Sequence, residues 1–594
     1  MRTIEKLPRT VREVEHCWIP LSDGVRLAAR LWLPADAEER PVPAILEYLP
    51  YGKRDGTRER DEPMHRYFAG HGYAAVRVDL RGTGDSEGLL FDEYLEQELL
   101  DGCEVIAWIA SQPWCDGAVG MIGKSWGGFN ALQIAALRPP ALRGVISACA
   151  SDDRYADDAH YKGGCLLAEN FRWGAALFAL VAHPPDPLIA GDAWRERWLE
   201  RLEHAVPFAA RWLRHPLRDA YWRHGSVCED PVRIACPVYA IGGWADGYSN
   251  AVPRLVAALP DSCQGLVGPW GHLYPHEGRP GPAIGFLGEA MRFFDRCLRG
   301  EPDGAPPEPP LRAWMQESVA PGEAHWERPG RWVAEDRWPS PRIRSWRLHL
   351  AAEGLRDAPG PEVAFRLAPD ATLGRAVGPW CSFGDARALT RDQREEDARS
   401  LCFDSAPLAE RVEILGAPVA RIELAADRPA AQLAVRLCDV DPHGAASRTG
   451  RPRSRLFASG CRRASRRGRP TGSGRGAGSP RIAGPRRGSA PGACTSRRRG
   501  CATRPVPRSR SASRPTRRSG AASDPGAPLA TRAPSRAISA RRTRARSAST
   551  RRRSRNASRS SAPPWRGSSS PQTGRRRSSR CACATSIRTA RRAS

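Results

Sequence analysis

Strands and helices alternate at short spacing through the first 150 residues, and that alternation leaves few architectures open to the chain. Val42 to Leu49, Tyr73 to Leu80, Ala118 to Gly123 and Arg143 to Ala150 read as apolar strands. Between them, Glu93 to Ser111 and Trp126 to Leu137 carry apolar residues at helical spacing and end before prolines. Such a pattern predicts a parallel sheet with helices on both faces. Residues 151–231 break the rhythm with acids, Trp, Arg and Pro around helical stretches such as Ala193 to Leu213, so they read as a helical cap inserted in the core. The strand pattern resumes at Val232 to Gly243 and Gln264 to Trp270, and a helix from Gly288 to Leu298 closes the core. The predicted α/β core therefore spans 1–150 and 232–300.

Beyond the Pro-rich linker EPDGAPPEPP at 301–310, residues 311–447 read as short strands between turns. RWVAED, SWRLHLAA, ERVEILG, VARIELAA and AQLAVRLCDV are the strand candidates, and they predict a sandwich or jelly roll.

Charge divides the chain sharply. The net charge of +27 over 594 residues suggests a nucleic-acid binder only until it is split. Residues 451–594 hold forty Arg, no Lys and one acid, Asp524, a balance of +39, while residues 1–450 balance at −12. From about residue 448 onward, Arg, Ser, Ala, Pro and Gly dominate, a composition that cannot repay the entropy of ordering. Arg without Lys is what a GC-rich gene yields when read out of frame, so the tail 448–594 is expected to be disordered and frameshifted. Its predicted contacts with nucleic acid are non-specific.

Other classes fall away. No apolar h-region opens the chain and no run of 18 apolar residues occurs, so neither a secretory signal nor a membrane span is expected. Twelve Cys lie in residues 1–450 without a C-x-x-C pair, which favours reduced structural thiols, no metal site and a cytoplasmic location.

The sharpest motif is Gly123-Lys124-Ser125-Trp126-Gly127-Gly128, set between a predicted strand and a predicted helix. This is the G-x-S-x-G elbow, in which a sharp turn lifts a serine hydroxyl off the sheet and the next helix aims its N–H groups at the site. A serine nucleophile needs a base, and the base an orienter. Asp246 follows the strand ending in Gly243, and His272 follows the strand ending in Trp270, so both leave the sheet edge that carries Ser125. Asp261 and His276 are weaker rivals, His276 being expected at the surface.

Pro50-Tyr51-Gly52-Lys53, the Ser125 elbow, Gly242-Gly243-Trp244-Ala245-Asp246 and Gly268-Pro269-Trp270-Gly271-His272 stand in one order. Over about residues 15–447 the chain resembles the cocaine esterase / Xaa-Pro dipeptidyl-peptidase superfamily of CocE/NonD hydrolases. The resemblance implies an α/β-hydrolase core with a helical cap and a C-terminal jelly roll. It implies a triad of Ser125, Asp246 and His272, an oxyanion hole from Tyr51 and the Trp126 backbone N–H, and no cofactor. Small-molecule esters, amides or peptides are the expected substrates. Asp152, Asp153, Tyr155, Trp173 and Trp244 are candidate substrate-binding residues. Assembly into a homo-oligomer is left open. The jelly roll of such proteins runs well past residue 447, so here it reads as truncated. The expectation is a serine hydrolase of acyl bonds; a dipeptidyl-peptidase releasing Xaa-Pro pairs and a nucleic-acid binder acting through its tail are the alternatives.

Overall fold

The computed structural model describes residues 6–448, except 301–307, 323, 368–369, 371, 386–390 and 428–430, together with the strand at 581–590. The tail expectation otherwise lies outside the described residues.

Six strands open the main sheet: β1 (Val11–Pro20), β2 (Arg26–Pro34), β3 (Val42–Leu49), β4 (Ala74–Asp79), β5 (Cys115–Lys124) and β6 (Leu142–Ala148). They lie in the order β1-β2-β4-β3-β5-β6, followed by Val238–Gly243, Cys263–Gly268, Leu311–Gln316 and Gly330–Glu335. From β4 to Leu311–Gln316 all neighbours are parallel; β1, β2 and Gly330–Glu335 pair antiparallel at the two margins. The parallel strands are Val-, Ile- and Leu-rich because helices cover both of their faces. On one face Ile45, Ile122, Ile146 and Tyr239 pack with Met64 and Phe68 of α1 (Arg58–Gly70) and with Phe286, Phe293 and Phe294 of the helix Phe286–Phe294. On the other, Leu46, Val119 and Met121 pack with residues of α2 (Glu96–Ala110), α3 (Trp126–Leu137) and the helix Ala251–Ala258. The chain has an α/β-hydrolase fold.

The inserted segment is helical as expected, with α4 (Glu169–Val181) its longest helix. The helix expected at Ala193 to Leu213 is two, Trp194–His204 and Phe208–Trp212, because Pro207 interrupts the hydrogen-bond ladder.

The C-terminal reading needs two corrections. Leu311–Gln316 and Gly330–Glu335, expected in the separate β module, extend the main sheet instead. Apolar alternation shows that a strand has a buried face but not which sheet pairs it. The segments ERVEILG and VARIELAA lie without strand pairing, and only His349–Ala351 of SWRLHLAA is a strand, paired with Gly354–Arg356. Cys581–Ala590 runs parallel between Leu401–Asp404 and Ala431–Val440, which pairs on its other side with Ala446–Arg448. No helix among the described residues is long and apolar enough to cross a membrane.

Candidate active site

The parallel strands end at one edge, and the loops leaving it carry every residue of the expected triad and oxyanion hole. Ser125 sits between β5 and α3 with φ 60° and ψ −123°, a left-handed conformation rare for a residue with a Cβ. Its backbone N–H donates to the Ala148 carbonyl at 2.9 Å, which ties the turn to β6. The turn depends on Gly123, where a Cβ would stand 2.1 Å from the Gly127 carbonyl carbon.

Tyr51 follows β3. Its hydroxyl faces the Ser125 side chain and the Trp126 backbone N–H; burial pushes its pKa up to about 12 against those contacts. At neutral pH it therefore remains a donor. The loop is locked from below: Lys53 is buried, with Nζ donating to Asp85 Oδ2 at 2.7 Å and its backbone N–H to Asp79 Oδ1 at 2.7 Å. Trp126 turns its indole away from the site, donating to Glu98 Oε1 at 2.6 Å, so that its backbone rather than its ring serves the elbow.

Asp246 is fully buried, and His272 is 3% exposed. His272 Nδ1 lies 2.9 Å from Asp246 Oδ1. A carboxylate at Nδ1 assigns the proton to that nitrogen and leaves Nε2 as the acceptor. His276, expected at the surface, is instead packed between Tyr274 and Phe286, and burial lowers its pKa to about 4.

Ser125 and His272 both line a cavity of about 230 Å³. Of the candidate substrate residues only Trp173 reaches it, donating its indole N–H to Glu93 Oε2 at 2.9 Å. Asp152 is paired with Arg254, Asp153 accepts from the Tyr155 and Ala156 backbone N–H groups, the Tyr155 hydroxyl donates to the Pro216 carbonyl, and the Trp244 indole donates to the Trp314 carbonyl. These four are committed to the framework.

Further residues wall the cavity, and of these the sequence reading had not singled out Glu93, Trp380, Cys381 or Phe383. Glu93 accepts from Arg154 and is paired with His160; burial opposes its charge, but these two cations hold its pKa down to about 2. Beside it, Asp158 accepts from Tyr248 at 3.1 Å through Oδ1, while its buried Oδ2 has no hydrogen-bond partner. Burial, reinforced by the Glu93 charge, raises the Asp158 pKa to about 6. Trp380, Cys381 and Phe383 enter from the C-terminal region. Phe383 meets His272 edge-on at 5.2 Å, and Cys381 Sγ lies 3.7 Å from Asp246 Oδ1. No local pattern marks these residues, because they are brought in from more than 100 positions away.

Among the described residues, three buried clusters have donor atoms close enough for a metal ion: Cys149-Asp246-His272, Glu47-Asp61-His65 and Glu93-Asp158-His160. Arg60 and Arg77 already neutralise the second and Arg154 the third. In the first, Asp246 is engaged by His272. None of these donor sets calls for a cation.

A parallel sheet with a strained serine at its elbow and a buried Asp–His pair at the same edge defines an α/β hydrolase. The profile of the X-Pro dipeptidyl-peptidase (S15 family) matches residues 23–274, and that of the X-Pro dipeptidyl-peptidase C-terminal non-catalytic domain matches residues 303–475. A Mycobacterium bovis protein named as a serine esterase is 28% identical over 510 residues, covering 72% of this chain and 78% of its own. The cocaine esterase of a Rhodococcus species is 28% identical over 475 residues, covering 72% and 80%. A solved structure titled α-amino acid ester hydrolase shares the fold at a TM-score of 0.50 and 21% identity, covering 67% of this chain and 73% of that one. The chain belongs to the cocaine esterase / X-Pro dipeptidyl-peptidase superfamily and is a serine hydrolase of that kind.

Proposed function

We propose that the chain hydrolyses ester or amide acyl bonds through an acyl-enzyme on Ser125, with His272 as base, Asp246 as its orienter, and Tyr51 with the Trp126 N–H as oxyanion hole. One observation supports this most: Ser125, on a strained backbone, faces the Tyr51 hydroxyl and lines the same cavity as His272, which is paired with the buried Asp246. His272 Nε2 takes the Ser125 proton as Oγ attacks the acyl carbonyl. Asp246 stabilises the imidazolium, and the two donors meet the oxyanion. The imidazolium then returns its proton to the leaving alcohol or amine as the carbonyl re-forms and the bond breaks. Water, deprotonated by His272, repeats the cycle and frees Ser125 and the acid. A fluorophosphonate probe tests the reading. It should label Ser125, and Ser125→Ala should abolish both labelling and turnover of an aryl ester. Labelling elsewhere would overturn it.

The cavity is small, which suits a compact acyl group. Its unpaired Asp158 oxygen supports a second reading, a substrate with a free ammonium group such as an amino-acid ester or a dipeptidyl amide. Comparing such a substrate with its des-amino analogue, on the native chain and on Asp158→Asn, decides between the two. The buried thiols, Cys149 among them, fit a reducing compartment, and the cytoplasm is the proposed location.

A further inference from the structure

We propose that Lys124 and Cys149 are positioning residues that together clamp the His272 loop against the nucleophile elbow. The proposal rests on the reading of His272 as the base. β5 and β6 are parallel neighbours with Lys124 opposite Ala148, so Lys124 and Cys149 stand side by side at the sheet edge. Lys124 Nζ donates to the His272 carbonyl at 3.1 Å. Cys149 Sγ lies 3.6 Å from the Leu273 carbonyl, within reach of a thiol donor. Two adjacent side chains thus hold two consecutive carbonyls of an irregular loop, whose acceptors are not taken up by a strand ladder. Lys124 directly precedes Ser125, so one stretch of backbone carries the nucleophile and grips the base.

Cys149 adds an independent observation. Its φ is 50°, left-handed for a residue with a side chain. Glycine adopts that conformation without strain. Strain at a site edge, kept to aim a sulfur at the base loop, calls for a positional reason. The sulfur also lies within 4.8 Å of the Asp246 carboxylate and the His272 ring. Lys124 is one of four lysines in the first 450 residues, and its hydrogen bond goes to this carbonyl and not to a carboxylate.

The test uses the full chain and a neutral aryl ester, with Lys124→Met, Lys124→Arg, Cys149→Gly and His272→Ala, each checked by its melting curve. Lys124→Met is expected to lower kcat about 10- to 100-fold with KM nearly unchanged, the effect of a small misplacement of a reacting group. Lys124→Arg keeps a cationic donor and should regain most of the rate. Cys149→Gly suits its backbone and should fold, with a smaller loss of kcat, since a thiol is a weak donor. A folded Lys124→Met with native kcat, or with a loss confined to KM, overturns the clamp. Where Lys124→Met does not fold, a folded Cys149→Gly with native kcat overturns it equally. An active His272→Ala would instead bring down the assignment of the base, and the clamp with it.

Discussion

Ser125 holds a backbone conformation that is unfavourable for any residue but glycine, and it does so where its hydroxyl meets Tyr51. Ser125→Ala should reduce aryl-ester turnover about 10³-fold or more, with His272→Ala close behind, because triad members act as a unit. A Ser125→Ala variant that keeps more than about a tenth of native turnover is incompatible with that unit. Tyr51→Phe should lower kcat about 10²- to 10³-fold with little change in KM, since the donor matters chiefly in the transition state. Asp158 makes a pH prediction. Its pKa is raised to about 6, so it is an anion above that pH and neutral below it. For a substrate with an ammonium group, KM should rise as pH falls through about 6. The des-amino analogue should show no such rise. That Ser125, Asp246 and His272 leave one edge of the sheet was legible because glycines and strand ends bracket them. Glu93 and Trp380 at the cavity were not, because a cavity wall assembled from distant segments leaves no spacing to read.

At the scale of elements, the loop after β3 shows how a buried ion pair anchors the segment that carries Tyr51. Lys53 and Asp85 are both buried and paired at 2.7 Å. Lys53→Met removes the ammonium paired with the buried Asp85, and stability should fall by about 3–5 kcal/mol, as when one partner of a buried pair is removed. The loss is read from urea unfolding, and in the folded fraction kcat should fall as well, because Tyr51 rides on the same loop. An unfolding midpoint equal to that of the native chain would mean the pair is dispensable. The core strands were legible almost to the residue at Val42–Leu49, where a fully buried run has one interpretation. α1 was not anticipated, since Arg58–Gly70 opens with charged residues and contains Pro63, and its buried positions include Asp61 and His65, engaged in ion pairing.

For the whole molecule, the junction near residue 300 separates less than its prolines suggest. Leu311–Gln316 pairs with Cys263–Gly268, so a chain ending at Gly300 would expose the backbone groups of that core strand. Such a chain also lacks Trp380, Cys381 and Phe383 at the cavity. It should give low soluble yield and no turnover, through edge-to-edge association as well as the incomplete site. Full soluble yield with native kcat would show that the later strands are accessory. The +39 balance of residues 451–594 predicts DNA binding that weakens steeply between about 50 and 200 mM salt. A chain ending at Arg448 should not show it.

What the amino-acid order determined by itself is local and periodic: the parallel strands, the glycine-bracketed serine, the acid and histidine at strand ends, and the charge boundary near residue 450. Each is written in neighbouring residues, where sterics and side-chain period leave little choice. Tertiary structure alone decided which sheet takes Leu311–Gln316, which acid is left unpaired in the cavity, and which side chains hold the His272 loop. Those outcomes turn on partners far apart in the chain, and a strand's alternation or an acid's charge is the same whatever it meets. Only packing sends Asp152 to Arg254 and leaves the buried Oδ2 of Asp158, a residue lining the cavity, without a donor.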